Sequence, residues 1–417
     1  MPDLAIHGGS PVAPGGLAGD WPVFDDRERE TLRRTLESGK WCSAGFYFED
    51  DESNVARFED AFADYVGTEH ATTVPNGTQA LQLAFKGIGL RPGDEVIVPA
   101  VTFFASASAI VLENGVPVFV DVDPDTYQLS PDAVEAAITD RTKAIEVVHY
   151  GGYPANMDRI LEIADEHDLY VVEDAAEAHG TEWRGEKVGS LGDVGCFSFQ
   201  QGKPLTCGEG GAVTYDEDEL ADRIYPHVNL GRARDGGKYE HRVPAGNYRL
   251  SEFLGGLLLD QLDRLETQTE TRHANGRYLA ERLADVRGIA TLRDDPRITN
   301  RGYYFYFLRF DATVWDGTHR DTFVEALQAE GIPCHTAHND PLYRNPAFAE
   351  IDPDLLYGAE PEYGSCHCPV AERIYESEAV ALPKEVLATR DNAETTLEAI
   401  EKLREQSDAL ASTAGST

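Results

Sequence analysis

From about residue 70 the chain repeats one pattern, in which a short apolar run is followed by a segment of helical periodicity and then by another apolar run. Helix-like "GTQALQLAFKGIG" precedes "EVIVPA"; then come helix-like "FFASASAIVLENG", "VPVFVDV", a helix over Pro131 to Ile138, "KAIEVVHY", a helix over Asn156 to His167, and "LYVVEDAA". Short strands alternating with helices predict an α/β fold with a mostly parallel sheet covered on both faces, because each parallel connection needs a crossover long enough to hold a helix. "GCFSFQ" and "GAVTY" extend that sheet. In open sheets of this kind ligands gather at the carboxyl ends of the strands, so the residues just after these runs are the functional candidates.

Between Ser251 and about Asp285 a long helical pattern carries leucines three and four residues apart, and it is read as leaving the large unit. Strand-like "YYFYFLRFD", a helix near Asp321 to Glu330 and a last helix near Asp391 to Glu405 predict a smaller α+β unit. The expected division is residues 1–255 for the large domain, 256–405 for the linking helix and small C-terminal domain, and 406–417 for a frayed tail. The first 40 residues can pack with either part. Two domains suit a chain of 417 residues with 41% hydrophobic content.

Charge narrows the partners. The 74 acidic residues outnumber the 36 basic ones, leaving a formal charge of −38 spread along the chain. Such a field repels nucleic-acid phosphates and anionic membranes. It fits a surface adapted to concentrated salt, where screening lengths fall to about 3 Å at 1 M. Six cysteines form no regular framework, which suits a reducing cytoplasm. The N-terminus lacks a basic start and apolar core, and no run approaches the length of a membrane span, so a soluble cytoplasmic protein is expected.

Three elements at the right strand ends carry chemistry. "PNGT", residues 75 to 78, opens a helix whose bare N–H groups and positive dipole end suit a phosphate, although the same sequence is also an ordinary N-cap. In "VVEDAAEAHG", Asp174 and Glu177 follow a strand, where a carboxylate either caps a turn or pairs with a protonated heterocyclic nitrogen. In "FSFQQGKPLTCGEGG", Lys203 follows Ser198 and precedes a run of small residues that lets backbone pass close to a bulky ligand. Desolvation removes part of a lysine's preference for its charged form and leaves an amine nucleophile. Phosphate site, acid and Schiff-base amine together describe pyridoxal 5′-phosphate. Cys334, the "HTAH" at 335 to 338 and the "CHC" at 366 to 368 lack paired metal-ligand spacing, and no metal is expected. "NLGRARDGGKYEHR" gathers Arg232, Arg234, Lys238 and Arg242, either for a substrate phosphate or as a loop near an interface. His149 reads as structural.

"NGTQALQLAF", "GDEVIVPAVTFFASASAI", "PVFVDVDPDTYQL", "VVEDAAEAHG", "GSLGDVGCFSFQQGKPLTCGEGG" and "NYRLSEF", together with C-terminal "GIPCHTAHNDPLYRNPAF" and "CPVAERIYESEAVALPKEVL", resemble the DegT/StrS family of sugar and cyclitol aminotransferases, which has the aspartate aminotransferase fold (fold type I). The resemblance implies that Lys203 is the Schiff-base lysine and proton shuttle and that Asp174 pairs with the pyridine nitrogen. It places Gly77, Thr78 and Ser198 at the phosphate and Phe103 against the cofactor ring, with Phe104 left to the core. Asn247 would reach the cofactor of a partner subunit, which implies a homodimer. Glu177 stands where many relatives carry glutamine or histidine, and it is kept as a cofactor neighbour. His338, Tyr343 and Arg232 are candidates for the substrate.

The implied reaction moves an amino group from glutamate or glutamine to a keto-sugar or keto-cyclitol. The motifs lean toward the scyllo-inosose and aminohydroxybenzoate types. Lysine at 203 speaks against the family's dehydratases, which carry histidine there. The alternatives are a lyase or dehydratase on the same scaffold, or a non-catalytic cofactor-binding regulator.

Overall fold

The computed structural model describes residues 3–44, 53–233, 239–337, 340–357, 361 and 363–411. A seven-stranded sheet forms its centre, with strand order His70–Val74, Gly211–Tyr215, Val194–Ser198, Tyr170–Asp174, Thr142–Val148, Glu95–Pro99 and Val116–Val120. The last five run parallel, while Gly211–Tyr215 and the edge strand His70–Val74 pair antiparallel. All five residues of Glu95–Pro99 and of Val194–Ser198 are buried, as expected of strands covered on both faces.

Alternation along the strands feeds two cores. Val96, Val98 and Val172 pack with Leu81, Ala84 and Ile110 of the helices Gly77–Gly87 and Phe104–Leu112. Ile97, Ile145, Val147 and Val171 meet Ile160 and Ile163 of the helix Met157–His167 on the other face. Each of these buried valine, leucine and isoleucine side chains contributes about 1.5–3 kcal/mol. Register then aligns the chemistry: Val148 lies opposite Asp174, Asp174 opposite Cys196, and Ser198 opposite Gly211.

The long helix Glu252–Leu283 runs for 32 residues, about 48 Å at 1.5 Å per residue. Its first half puts Leu258 and Leu265 among Phe58, Phe62, Phe197 and Phe199, and its second half puts Leu279 and Leu283 beside Leu308, Phe310 and Ile400. Gly255 is required at the first contact, since a Cβ there would lie 2.8 Å from the Val55 backbone nitrogen. A smaller antiparallel sheet, Ile289–Thr291, Phe305–Phe310 and Ala379–Pro383, takes the helices Arg320–Ala329 and Arg390–Glu405 against it.

The N-terminal 40 residues divide between the two parts. Ala5 and Val12 donate backbone N–H groups at 2.9 and 3.0 Å to buried Glu330, whose charge Lys402 offsets at 2.7 Å, so the first turns sit with the small sheet. The helix Asp26–Ser38, closed by a capping box of Asp25 and Glu28, lies instead along the long helix, where Glu28 pairs with Arg264 and accepts from Gln261 at 2.7 Å. Several elements escape the sequence pattern, three of them for visible reasons. His70–Val74 is short and threonine-rich, Ala379–Pro383 ends in proline, and the helix Asp218–Val228 contains Pro226. Among the described residues no helix is long and apolar enough to cross a membrane.

Candidate active site

The carboxyl ends of the parallel strands enclose a cleft of about 450 Å³, lined among others by Gly77, Thr78, Phe103, Asp174, Glu177, Ser198, Lys203 and Tyr304. At its closed end the helix Gly77–Gly87 begins. Asn76 caps it by accepting the Gln79 N–H at 2.9 Å, and the N–H groups of Gly77 and Thr78, in the first turn, have no intrahelical acceptor. Only glycine fits at 77, because a Cβ would stand 2.7 Å from the Cβ of Ser198. That close approach brings the Ser198 hydroxyl to the bare helix start.

Asp174 is the last residue of its strand and 7% exposed. Its Oδ2 accepts from Ser106 Oγ at 2.9 Å and its Oδ1 from the Ala176 N–H at 3.1 Å. Ser106 lies 2.8 Å from Thr102 Oγ1, and having given its only proton to Asp174 it must accept one from Thr102. Burial pushes the Asp174 carboxyl above its ordinary range, against the pull of Ser106, the Ala176 N–H and the positive charge of Lys203. A cation placed against it would therefore be held strongly.

Lys203 sits after a tight turn in which its N–H reaches the Gln200 carbonyl at 2.9 Å. Its side chain is 13% exposed, and its Nζ lies 3.2 Å from Glu177 Oε1 and 4.1 Å from the centre of the Tyr304 ring. The other Glu177 oxygen accepts the Gly151 N–H at 2.8 Å. Gly151 needs its left-handed φ of 67° and its missing side chain, since a Cβ would come within 2.4 Å of Phe307. Glu177 is thus a fixed carboxylate beside the amine, and the positive partner that an acid needs there is Lys203.

Phe103 stands at the mouth, 56% exposed, just before the helix Phe104–Leu112; Phe104 is 38% exposed and packs on Phe348 rather than being fully enclosed. His149 is buried behind the cleft. Its Nδ1 accepts from the Ala155 N–H at 3.2 Å, so Nε2 carries the proton and donates it to Glu173 at 2.9 Å.

Among the described residues three candidates do not line this cleft. Tyr343 does not line the cleft; it is 2% exposed, and its hydroxyl donates to Glu372 at 2.6 Å and accepts the Cys368 N–H at 3.2 Å. Arg232 bonds Asn229 at 3.2 Å, and Asn247 forms a bridge with Asn229; neither lines this chain's cleft among the described residues. His338 lies outside the described residues, as do Arg234 and Lys238. Among the described residues no group of three acids, histidines or cysteines could hold a metal ion. Sequence reasoning missed Tyr304, hidden in the strand-like "YYFYFLRF", and the Thr102–Ser106 pair, whose four-residue spacing across a helix start was the available signal.

A sheet whose carboxyl edge brings together a lysine, a buried acid and a bare helix start belongs to the fold type I transferases. The chain is a member of the DegT/DnrJ/EryC1/StrS aminotransferase family, whose model matches residues 22–401. It is 40% identical to an L-glutamine:2-deoxy-scyllo-inosose aminotransferase of Streptoalloteichus tenebrarius, covering 89% of this chain and 90% of that one. It is 38% identical to an L-glutamine:scyllo-inosose aminotransferase of Streptomyces griseus, covering 92% and 93%. Among solved structures, a 3-amino-5-hydroxybenzoic acid synthase superposes with a TM-score of 0.84 at 37% identity, covering 93% of this chain and 98% of that chain.

Proposed function

We propose that this enzyme is a pyridoxal-phosphate aminotransferase that moves an amino group from glutamine or glutamate to the ketone of a cyclitol of the scyllo-inosose type. The observation that carries the reading is the burial of the Lys203 amine in the same cleft as Asp174 and the bare N–H groups of Gly77 and Thr78. The residues fit the group. Gly77, Thr78 and Ser198 would hold the phosphate, Asp174 the ring nitrogen, and Phe103 the ring face. Pyridoxal phosphate, when bound, supplies an aldehyde for an amine and a protonated ring that accepts an electron pair.

The chain's own groups do the rest. Asp174, disfavoured as a lone anion by burial, keeps a proton on the ring nitrogen because a cation relieves its desolvation. Thr102 and Ser106 fix the direction of that carboxylate. Once its amine is released, Lys203 carries a proton to and from the substrate's reacting carbon. Glu177 holds the lysine Nζ while its amine is free, and Tyr304 packs its ring against it.

Glutamine as donor and a cyclitol as acceptor draw support from the names of the Streptoalloteichus and Streptomyces relatives. The protein works as a homodimer, in which Asn247, remote from its own chain's cleft, serves the partner's site. It is cytoplasmic and salt-adapted, so activity and dimerisation rise in molar KCl; better performance in dilute buffer contradicts this. The likeness to 3-amino-5-hydroxybenzoic acid synthase favours a second reading, a dehydratase or lyase on the same scaffold.

The assay offers scyllo-inosose, 2-deoxy-scyllo-inosose and dTDP-, GDP- and UDP-4-ketosugars, with glutamine or glutamate as donor. Amine formation on a cyclitol with stoichiometric oxo-acid supports the proposal. Turnover of a nucleotide sugar alone moves the acceptor, and no ketone turned over sinks transamination.

A further inference from the structure

Lys384 is a lysine that the mechanism does not use, and it is 5% exposed. It follows the strand Ala379–Pro383 of the small sheet, far in sequence from Lys203. Its Nζ donates to the Gly202 carbonyl at 2.6 Å and to Glu385 at 2.9 Å, and its backbone N–H reaches the Tyr304 carbonyl at 3.2 Å. The same ammonium lies 4.2 Å from the centre of the Trp21 ring, and the Trp21 indole N–H donates to the Gln201 carbonyl at 2.7 Å. Two consecutive carbonyls before Lys203 are therefore each held by a side chain from another part of the chain.

We propose that Lys384 is a positioning residue for the Lys203 amine, acting through the Gly202 carbonyl and through Tyr304. A lysine on a loop rich in small residues has no helix or strand to fix where its amine points. Burying a second ammonium is costly unless its donors are used, and here they clamp the loop at Gly202 and meet Glu385, while the backbone N–H of the same residue holds the tyrosine whose ring meets Lys203. A misplacement of about 1 Å at a reacting amine can cost up to a hundredfold in rate, so a clamp two bonds from Lys203 matters to turnover.

The charge of Lys384 acts in the same direction. Around Lys203 stand Glu177, Asp174, Tyr304 and His179; around Lys384 stand Glu385 and Arg272. Burial lowers the Lys384 ammonium's proton affinity, Glu385 opposes that, and Arg272 and Lys203 add to it. Lys384 thus adds a second positive charge beside the cleft that holds Lys203.

This inference rests on the reading that Lys203 forms the imine. The test compares purified holoenzymes of wild type, K384M, K384R and W21F by pH titration of the visible cofactor band and by steady-state turnover. In K384M the band's midpoint rises by about one pH unit and kcat falls about tenfold with little change in donor KM. K384R recovers most of both. W21F removes only the indole clamp, lowering kcat about threefold with the midpoint unmoved. An unchanged midpoint and kcat in K384M, or a loss that K384R does not recover, overturns the proposal. If K384M does not fold, W21F decides, and an unchanged kcat there overturns it. A wild type with no visible band, and borohydride labelling away from Lys203, overturns the underlying reading and this inference with it; a normal wild-type band with an unresponsive K384M overturns this inference alone.

Discussion

Glu173 and Asp174 are neighbours on one strand, both buried, and they face opposite sides of the sheet. Glu173 accepts from His149 and from the N–H groups of Gly189, Leu191 and Gly192 at 2.7–2.9 Å. Its burial would raise its proton affinity, yet those donors hold it below the usual carboxylate range. Asp174, with one hydroxyl and one N–H, is left above that range. Burial alone therefore does not mark a site. What marks it is an acid that the protein leaves under-supplied with donors where a ligand can complete the set.

The comparison can be broken in four ways. The largest effect expected is on turnover in D174N, about a thousandfold or roughly 4 kcal/mol of barrier, with the fold intact by circular dichroism. Next, E173Q should lose about 3 kcal/mol of stability in denaturant melts, because an amide sets hydrogens against N–H groups that need an acceptor.

The third contrast has opposite signs. Asp174's proton affinity is raised by folding, so above its unfolded value the native state binds more protons and stability falls as pH rises. Glu173's is lowered, so its contribution is present above the unfolded value and is lost as pH falls through the folded one. At pH 7 the cofactor-free D174N protein should consequently melt higher than wild type, by about 1 kcal/mol, and the gap should shrink on acidification. A lower melting point for D174N would end the contrast. Smallest is S106A, which deletes one donor to Asp174 and should slow turnover about fivefold, or about 1 kcal/mol; an unaffected rate would show that Thr102 and Ser106 only pack.

The repeat of strands and helices beyond residue 75 was readable because its elements are short and apolar, with side-chain caps opening two of the helices at Asn76 and Ser130. Lys203, Asp174 and Gly77 were readable because their places follow from strand ends. Tyr304 and Lys384 were not, since their meaning comes from contacts between segments more than 100 residues apart, and an aromatic or a lysine beside a strand has many uses. Nor was the packing of Tyr343, whose hydroxyl turns inward to Glu372 on another segment of the chain.

The helix Glu252–Leu283 lends side chains to both apolar clusters at once. Neither half can melt while the other keeps its share of this rod, so calorimetry should record a single cooperative peak, and a glycine placed midway along it should lower that peak rather than split it.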